Sequence, residues 1–202
     1  MRHIHISMEW TIPIQTFDIS KIQIGQIYNN HKPMAPLSYS DGDLRFPSVA
    51  LLLPMARIQS YDSATGKLVL AFATGEHAST KLMNLQDMLL TSVYNKQSSL
   101  FKSATSSRTC DELRAGFQTI LDGNLLKLYC PSGSSAPQGI HDLPIYMKGE
   151  WTRGLRVGVL TEGTNIRLAL RIQGISFHLH PVTQIWTGKF RLQHRITCML
   201  VA

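Results

Sequence analysis

Two stretches near the C-terminal end, NIRLALRIQ (165–173) and KFRLQHRITCMLV (189–201), alternate apolar and polar residues at the period of a β-strand. Successive side chains of a strand point to opposite sides, so the pattern sorts these residues into two faces. In the first stretch Leu168, Leu170 and Ile172 fall on one face, and Arg167, Ala169, Arg171 and Gln173 on the other. In the second, Phe190, Leu192, Ile196 and Leu200 form the apolar series, opposed by Arg191, Gln193 and Arg195. The pattern predicts a sheet with one buried and one basic face, because only that register buries the apolar set. Thr187–Gly188 is read as the turn leading into the last strand, which forms a hairpin with FHLHPVTQIW (177–186).

Most of the remaining chain is also strand-like. HIHI (3–6) and KIQIGQIY (21–28) alternate, with Ile22 and Ile24 on one side. The Asn-, Pro- and Asp-Gly-rich segment 29–47 predicts turn or loop. SVALLLPMARI (48–58) is a continuous apolar run suited to a strand buried on both faces, bent or ended by Pro54. In YDSATGKLVLAFA (61–73), SATG is the turn of a hairpin. GLRVGVLTE (154–162) and ISFHLH (175–180) read as further strands.

Two helices fit the middle. Leu82, Leu85, Leu89 and Val93 recur at three- and four-residue spacing and give one apolar face. In TCDELRAGFQTILDGN (109–124), Thr109 and Glu112 form a capping box. Leu113, Phe117, Ile120 and Leu121 supply a buried stripe there, and Gly123 stands where the helix would stop. The segments KSATSSR (102–108) and PSGSSAPQG (131–139) read as exposed connections.

The chain has 202 residues, enough for one large domain, and a net charge of +7. Residues 1–144 hold 12 Lys+Arg against 11 Asp+Glu, whereas residues 145–202 hold 8 against 2, so the excess is C-terminal. Cys110, Cys130 and Cys198, separated by 20 and 68 residues, match neither a zinc-ligand spacing nor a disulfide framework, and read as thiols in a reducing compartment. No apolar run reaches membrane-span length and no secretory signal is evident, so the expectation is an intracellular protein without membrane insertion.

Catalytic signatures are missing. There is no G-x-S-x-G elbow, and Thr183 stands where a phosphate loop ending in the Thr187–Gly188–Lys189 run would need glycine. His178 and His180, and likewise His3 and His5, share a strand side, but no carboxylate or thiol nearby completes a metal shell. The reading is therefore non-enzymatic, with no metal and no cofactor.

The basic strand positions carry more information. Lys148, Arg153, Arg156, Arg167, Arg171, Lys189, Arg191 and Arg195 recur on successive predicted strands, which would assemble them into a patch for phosphates. Tyr146, Trp151, Trp186 and Phe190 punctuate it. Tyr39, Trp151, Trp186 and Phe190 are the candidates for stacking on unpaired bases. The competing reading is a solvated sheet face with Trp151 and Trp186 in the core, its cations guarding strand edges.

The order of these segments resembles the single-stranded DNA-binding proteins of large eukaryotic DNA viruses. Tyr39, Asp41 and Gly42 match a Y-x-D-G turn, Pro47 and Pro54 a Pro-containing strand, and a TGKL-like turn, a helix and a late basic strand-rich segment follow. The resemblance covers residues 35–95 and 148–190. It implies an OB-like β-barrel that binds single-stranded DNA in replication or recombination, in the host nucleus or a cytoplasmic replication site. It does not account for the Ser-rich region at about 98–140.

The expectation is thus one domain over 1–202, mainly β with two helices (α+β), with an OB-like or otherwise curved antiparallel β-barrel or sheet and a Ser-rich, partly helical insertion. Its partner would be single-stranded DNA, with RNA and a homo-oligomer left open. The alternative is an oligomeric structural or assembly protein, such as a viral matrix or capsid-associated protein, that turns the basic face to a partner chain.

Overall fold

A computed structural model describes residues 10–28, 33–101, 107–130, 143–154 and 159–202. Among these the fold is mainly β with two helices, built around an open, curved sheet. The strands before the helices are β1 (Ile12–Pro13), β2 (Ile22–Ile24), β3 (Met34–Asp41), β4 (Leu44–Phe46), β5 (Val49–Leu52), β6 (Ala56–Asp62) and β7 (Lys67–Ala71). Helices α1 (His77–Leu100) and α2 (Cys110–Gly116) follow. Then come β8 (Phe117–Gln118), β9 (Leu121–Asp122), β10 (Leu125–Tyr129), β11 (Pro144–Met147), β12 (Glu150–Arg153), β13 (Asn165–Leu179) and β14 (Trp186–Val201).

The two alternating stretches at the C-terminal end form the spine. Strands β13 and β14 pair antiparallel from Ile166↔Val201 to Leu179↔Trp186. Along its other edge β13 meets β6 at Ile166↔Ala56, β5 at Leu170↔Leu51 and β3 at Ile175↔Ala35. The outer edge of β14 takes two parallel neighbours, β8 at Phe190↔Phe117 and β11 at Leu200↔Tyr146. Where β3 crosses Gly174, the backbone of Ala35 occupies the space a Cβ would need, so only glycine fits.

One apolar core lies on the side of the sheet against which α1 packs. Leu82, Leu85, Leu89 and Val93 of α1 join Leu168, Leu170, Ile172 and Ile175 in it. Fully burying a side chain of this size contributes roughly 1.5–3 kcal/mol. Gln86, on the same side of α1, is buried but satisfied. Its carbonyl accepts from the amides of Ile120 and Leu121 at 2.9 Å, and its amide donates to Leu121 O at 3.3 Å. Among the described residues no helix is long and apolar enough to cross a membrane.

Several local expectations are corrected. Segment 33–47 is a hairpin, with β3 and β4 joined through Gly42 and Asp43. Ala35, Leu37 and Tyr39 alternate inward, and the carbonyl of Pro36 accepts from Gly25, so the proline within it did not preclude a strand. The capping box of α2 forms as the sequence predicts, but the helix stops at Gly116. There the backbone of Gly188 leaves no room for a Cβ, and Phe117 turns to pair with Phe190. Ile120 and Leu121 are held by Gln86 and not by a helical turn. Residues 159–164 turn towards β13 and form no strand. Residues 165–180 form one strand to Leu179, not two. Thr187–Gly188 lies inside β14, and the chain reverses at residues 180–185. The segments 3–6, 102–106, 131–142 and 155–158 lie outside the described residues.

Candidate nucleic-acid interface

Directly opposed residues on paired strands project to the same side of a sheet, so register assigns the faces. The pairs Leu168↔Met199, Leu170↔Ile196, Ile175↔Leu192 and Phe177↔Phe190 line the core side. The outer side takes Arg167↔Leu200, Ala169↔Cys198, Arg171↔Arg195 and Ser176↔Arg191. Shifts of register at Gln173 and Thr197 each insert a residue and switch the alternation. The second shift moves Leu200 to the outer side and puts Met199 and Val201 in the core, correcting the predicted apolar series.

The outer side is basic along most of the ribbon. Arg171 and Arg195 stand directly across from each other, a placement of like charges that costs stability in a sheet. Burial pushes the pKa of the Arg171 guanidinium below its ordinary value, and the charge of Arg195 pushes the same way. Lys189 precedes Arg191 by two residues on β14 and shares its side, and both are exposed. Gln193 donates to Ser176 Oγ at 2.8 Å across the ribbon, spanning the space between the Arg195 and Arg191 rows.

The face continues onto the neighbouring strands. Leu200 is opposite Tyr146, which is opposite Trp151, so Arg167, Leu200, Tyr146 and Trp151 form one row across four strands. The Tyr146 and Trp151 rings are 5.2 Å apart at 58°, and Trp151 is 41% exposed. Arg153 follows Trp151 on the same side of β12, and Lys148 projects from the two-residue turn before that strand. Arg57 of β6, opposite Asn165, extends the face in the other direction.

Three proposed stacking residues are instead core residues. Trp186 is 4% exposed and lies flat on Phe101, with ring centroids 4.4 Å apart, and its indole N–H donates to Lys189 O at 3.0 Å. Phe190 stacks on Phe117 at 4.6 Å, and Tyr39 lies on Phe17 at 5.7 Å. Alternation explains the first two: Trp186 and Phe190 share the core side with Phe177, leaving Lys189 and Arg191 outside. Arg156 lies outside the described residues. The remaining predicted positions, Lys148, Trp151, Arg153, Arg167, Arg171, Lys189, Arg191 and Arg195, belong to the outer face or its rim. Sequence reasoning omitted Arg57, although Ala56 and Ile58 flank it in alternation, and did not select Tyr146 for stacking.

No protein-family model, no curated protein and no solved structure matches this chain. The functional reading therefore rests on the site. Among the described residues no three His, Cys, Asp or Glu side chains are grouped to hold a metal ion. His178 Nδ1 lies 3.2 Å from Thr187 Oγ1, and His180 Nδ1 accepts from the Thr183 amide at 3.2 Å.

Proposed function

We propose that this protein binds single-stranded nucleic acid, single-stranded DNA above all, without catalysis, through the outer face of the β13–β14 ribbon. The observation that carries the reading is the gathering of Arg167, Arg171, Lys189, Arg191 and Arg195 on one side of the ribbon. Cations gathered on one strand face can follow successive phosphates of a strand laid along it. Arginine suits that task because it stays charged even when partly desolvated and presents a planar fork of donors. The Tyr146–Trp151 pair supplies a ring surface at one end, suited to any unpaired base.

Fluorescence anisotropy with a labelled oligothymidine at two salt concentrations tests this directly. Affinity should fall steeply with salt, and the paired change Arg171→Glu with Arg195→Glu should weaken binding and flatten the salt slope. Lys96→Glu with Arg114→Glu, on the two helices packed against the core side, is the charge-matched control. Equal losses in both double variants would mean that net charge alone attracts the strand and that the face is no site.

A further inference from the structure

The ribbon ends in a tip that is unlike its face. Between His180 and Ile185 the chain exposes Pro181, Val182 (83% exposed) and Ile185 (46% exposed). The tip is not a loose loop. His180 N–H donates to Ile185 O at 2.8 Å and Gln184 N–H donates to His180 O at 2.9 Å. The Gln184 side chain donates to Pro181 O at 2.8 Å, while Gln184 itself adopts φ 56. Thr187 donates to His178 O at 2.8 Å below the tip. These bonds fix a compact turn, closed from Gln184 N–H to His180 O and from His180 N–H to Ile185 O, on which the most exposed apolar side chain is the β-branched Val182.

Apolar side chains fixed at the end of a ribbon meet water at a cost, and they are used elsewhere to enter a base stack. The placement here favours that use. His178, Lys189 and Arg191 occupy the outer side just below the tip, so the basic face runs up to it without interruption. A strand held by its phosphates on that face would be led to Val182.

We propose that the 180–185 tip is an apolar wedge that enters the base stack where a bound single strand meets a duplex, making the protein a duplex-opening as well as a strand-binding one. The proposal rests on the nucleic-acid reading of the face. Val182 unstacks the first pair, Ile185 supports it from the return side, and Lys189 holds the adjoining phosphate. No covalent step is involved, and the energy for unpairing comes from the binding of the released strand's phosphates to the basic face.

The experiment uses the full chain and a hairpin oligonucleotide with a single-stranded tail, carrying 2-aminopurine at the first paired position. The protein should raise 2-aminopurine fluorescence, and Val182→Ser with Ile185→Ser should abolish the rise while leaving affinity for oligothymidine unchanged. Both side chains are exposed, so the variant is expected to fold, and an unchanged melting temperature checks this. Tight binding to oligothymidine with no fluorescence rise from the unaltered protein would overturn the wedge and leave the face standing. A full rise from the double variant would do the same. If neither oligonucleotide binds, the strand-binding reading and the wedge fall together. If the variant instead changes the molar mass in solution measured by light scattering, with the fluorescence rise intact, the tip is a contact between copies of the chain and the wedge is wrong.

Discussion

Trp186 and Trp151 belong to the same curved sheet, yet their surroundings differ on every count that matters to function. Trp186 lies within 6.2 Å of the rings of Phe101, Phe177 and Phe190, has Arg108 over its face, and gives its only donor to a backbone carbonyl. Among the described residues Trp151 has one aromatic neighbour, Tyr146, and its ring is partly open to solvent. The contrast teaches that an aromatic residue beside a basic strand position is a binding candidate only when alternation puts the two on the same side. Trp186 is opposite Leu179 on the core side while Lys189, next to core Phe190, is on the outer side, whereas Trp151 and Arg153 are two apart on β12 and share one side.

The largest expected effect tests the buried half of this contrast. Trp186→Ala should cost about 3–5 kcal/mol of folding stability, read from urea melts, because it empties the centre of an aromatic cluster. Retention of wild-type stability would show that the cluster contributes little. The second tests the open half: Trp151→Ala should lower single-strand affinity by about 1–3 kcal/mol while changing stability by less than about 0.5 kcal/mol. A variant that melts early but binds normally would move Trp151 to the structural side of the comparison.

Smaller effects sharpen it. Arg195→Thr removes an exposed cation from the outer face, so it should weaken binding while changing stability by less than about 0.5 kcal/mol. A loss in the anisotropy titration with no matching loss in the melt is the signature of a face kept for a ligand. The smallest concerns His194, which lies opposite Ile172 on the core side of the ribbon. Burial pushes its pKa below 6.5, against a hydrogen bond with Leu192 O, and the charge of Arg191 adds to the lowering. A folded-state pKa below the unfolded one gives stability that is complete above about pH 6.5 and declines as pH falls through the lowered value. Melts across pH 7.5 to 5 should show that decline, and His194→Met should flatten it.

The ribbon was legible because its pattern is dense. Even the register shift near Gln173 is written in the sequence, since apolar positions change from Ile166, Leu168, Leu170 and Ile172 to Ile175 and Phe177. The shift at Thr197 was harder, because Met199, Leu200 and Val201 are all apolar and alternation cannot choose among them. The region 109–130 misled for a different reason. Leu113, Phe117, Ile120 and Leu121 have helical spacing, but Gly188 and Gln86, 72 and 34 residues away from their partners Gly116 and Ile120, determine what those residues do. Local pattern carries no trace of such distant contacts. The tip escaped notice for a third reason: a turn built from His, Pro and Thr looks ordinary until its hydrogen bonds show which side chain it pushes outward.

Strand β13 joins segments that are far apart in the chain: Asn165 pairs with Arg57, Ile172 with Val49 and Ser176 with Met34. During synthesis at about 5–20 residues per second, β3, β5 and β6 would wait on the order of ten seconds for this partner to be made. Through that interval the edges that β13 will cover are open, while β6 can already pair with β7 and β7 with β10. The parts of the sheet built on β3, β5 and β6 are joined only when β13 arrives. Slow, late assembly of this kind leaves open edges exposed to neighbouring chains, so the nascent protein should depend on being held apart from its own copies until β13 and β14 are complete.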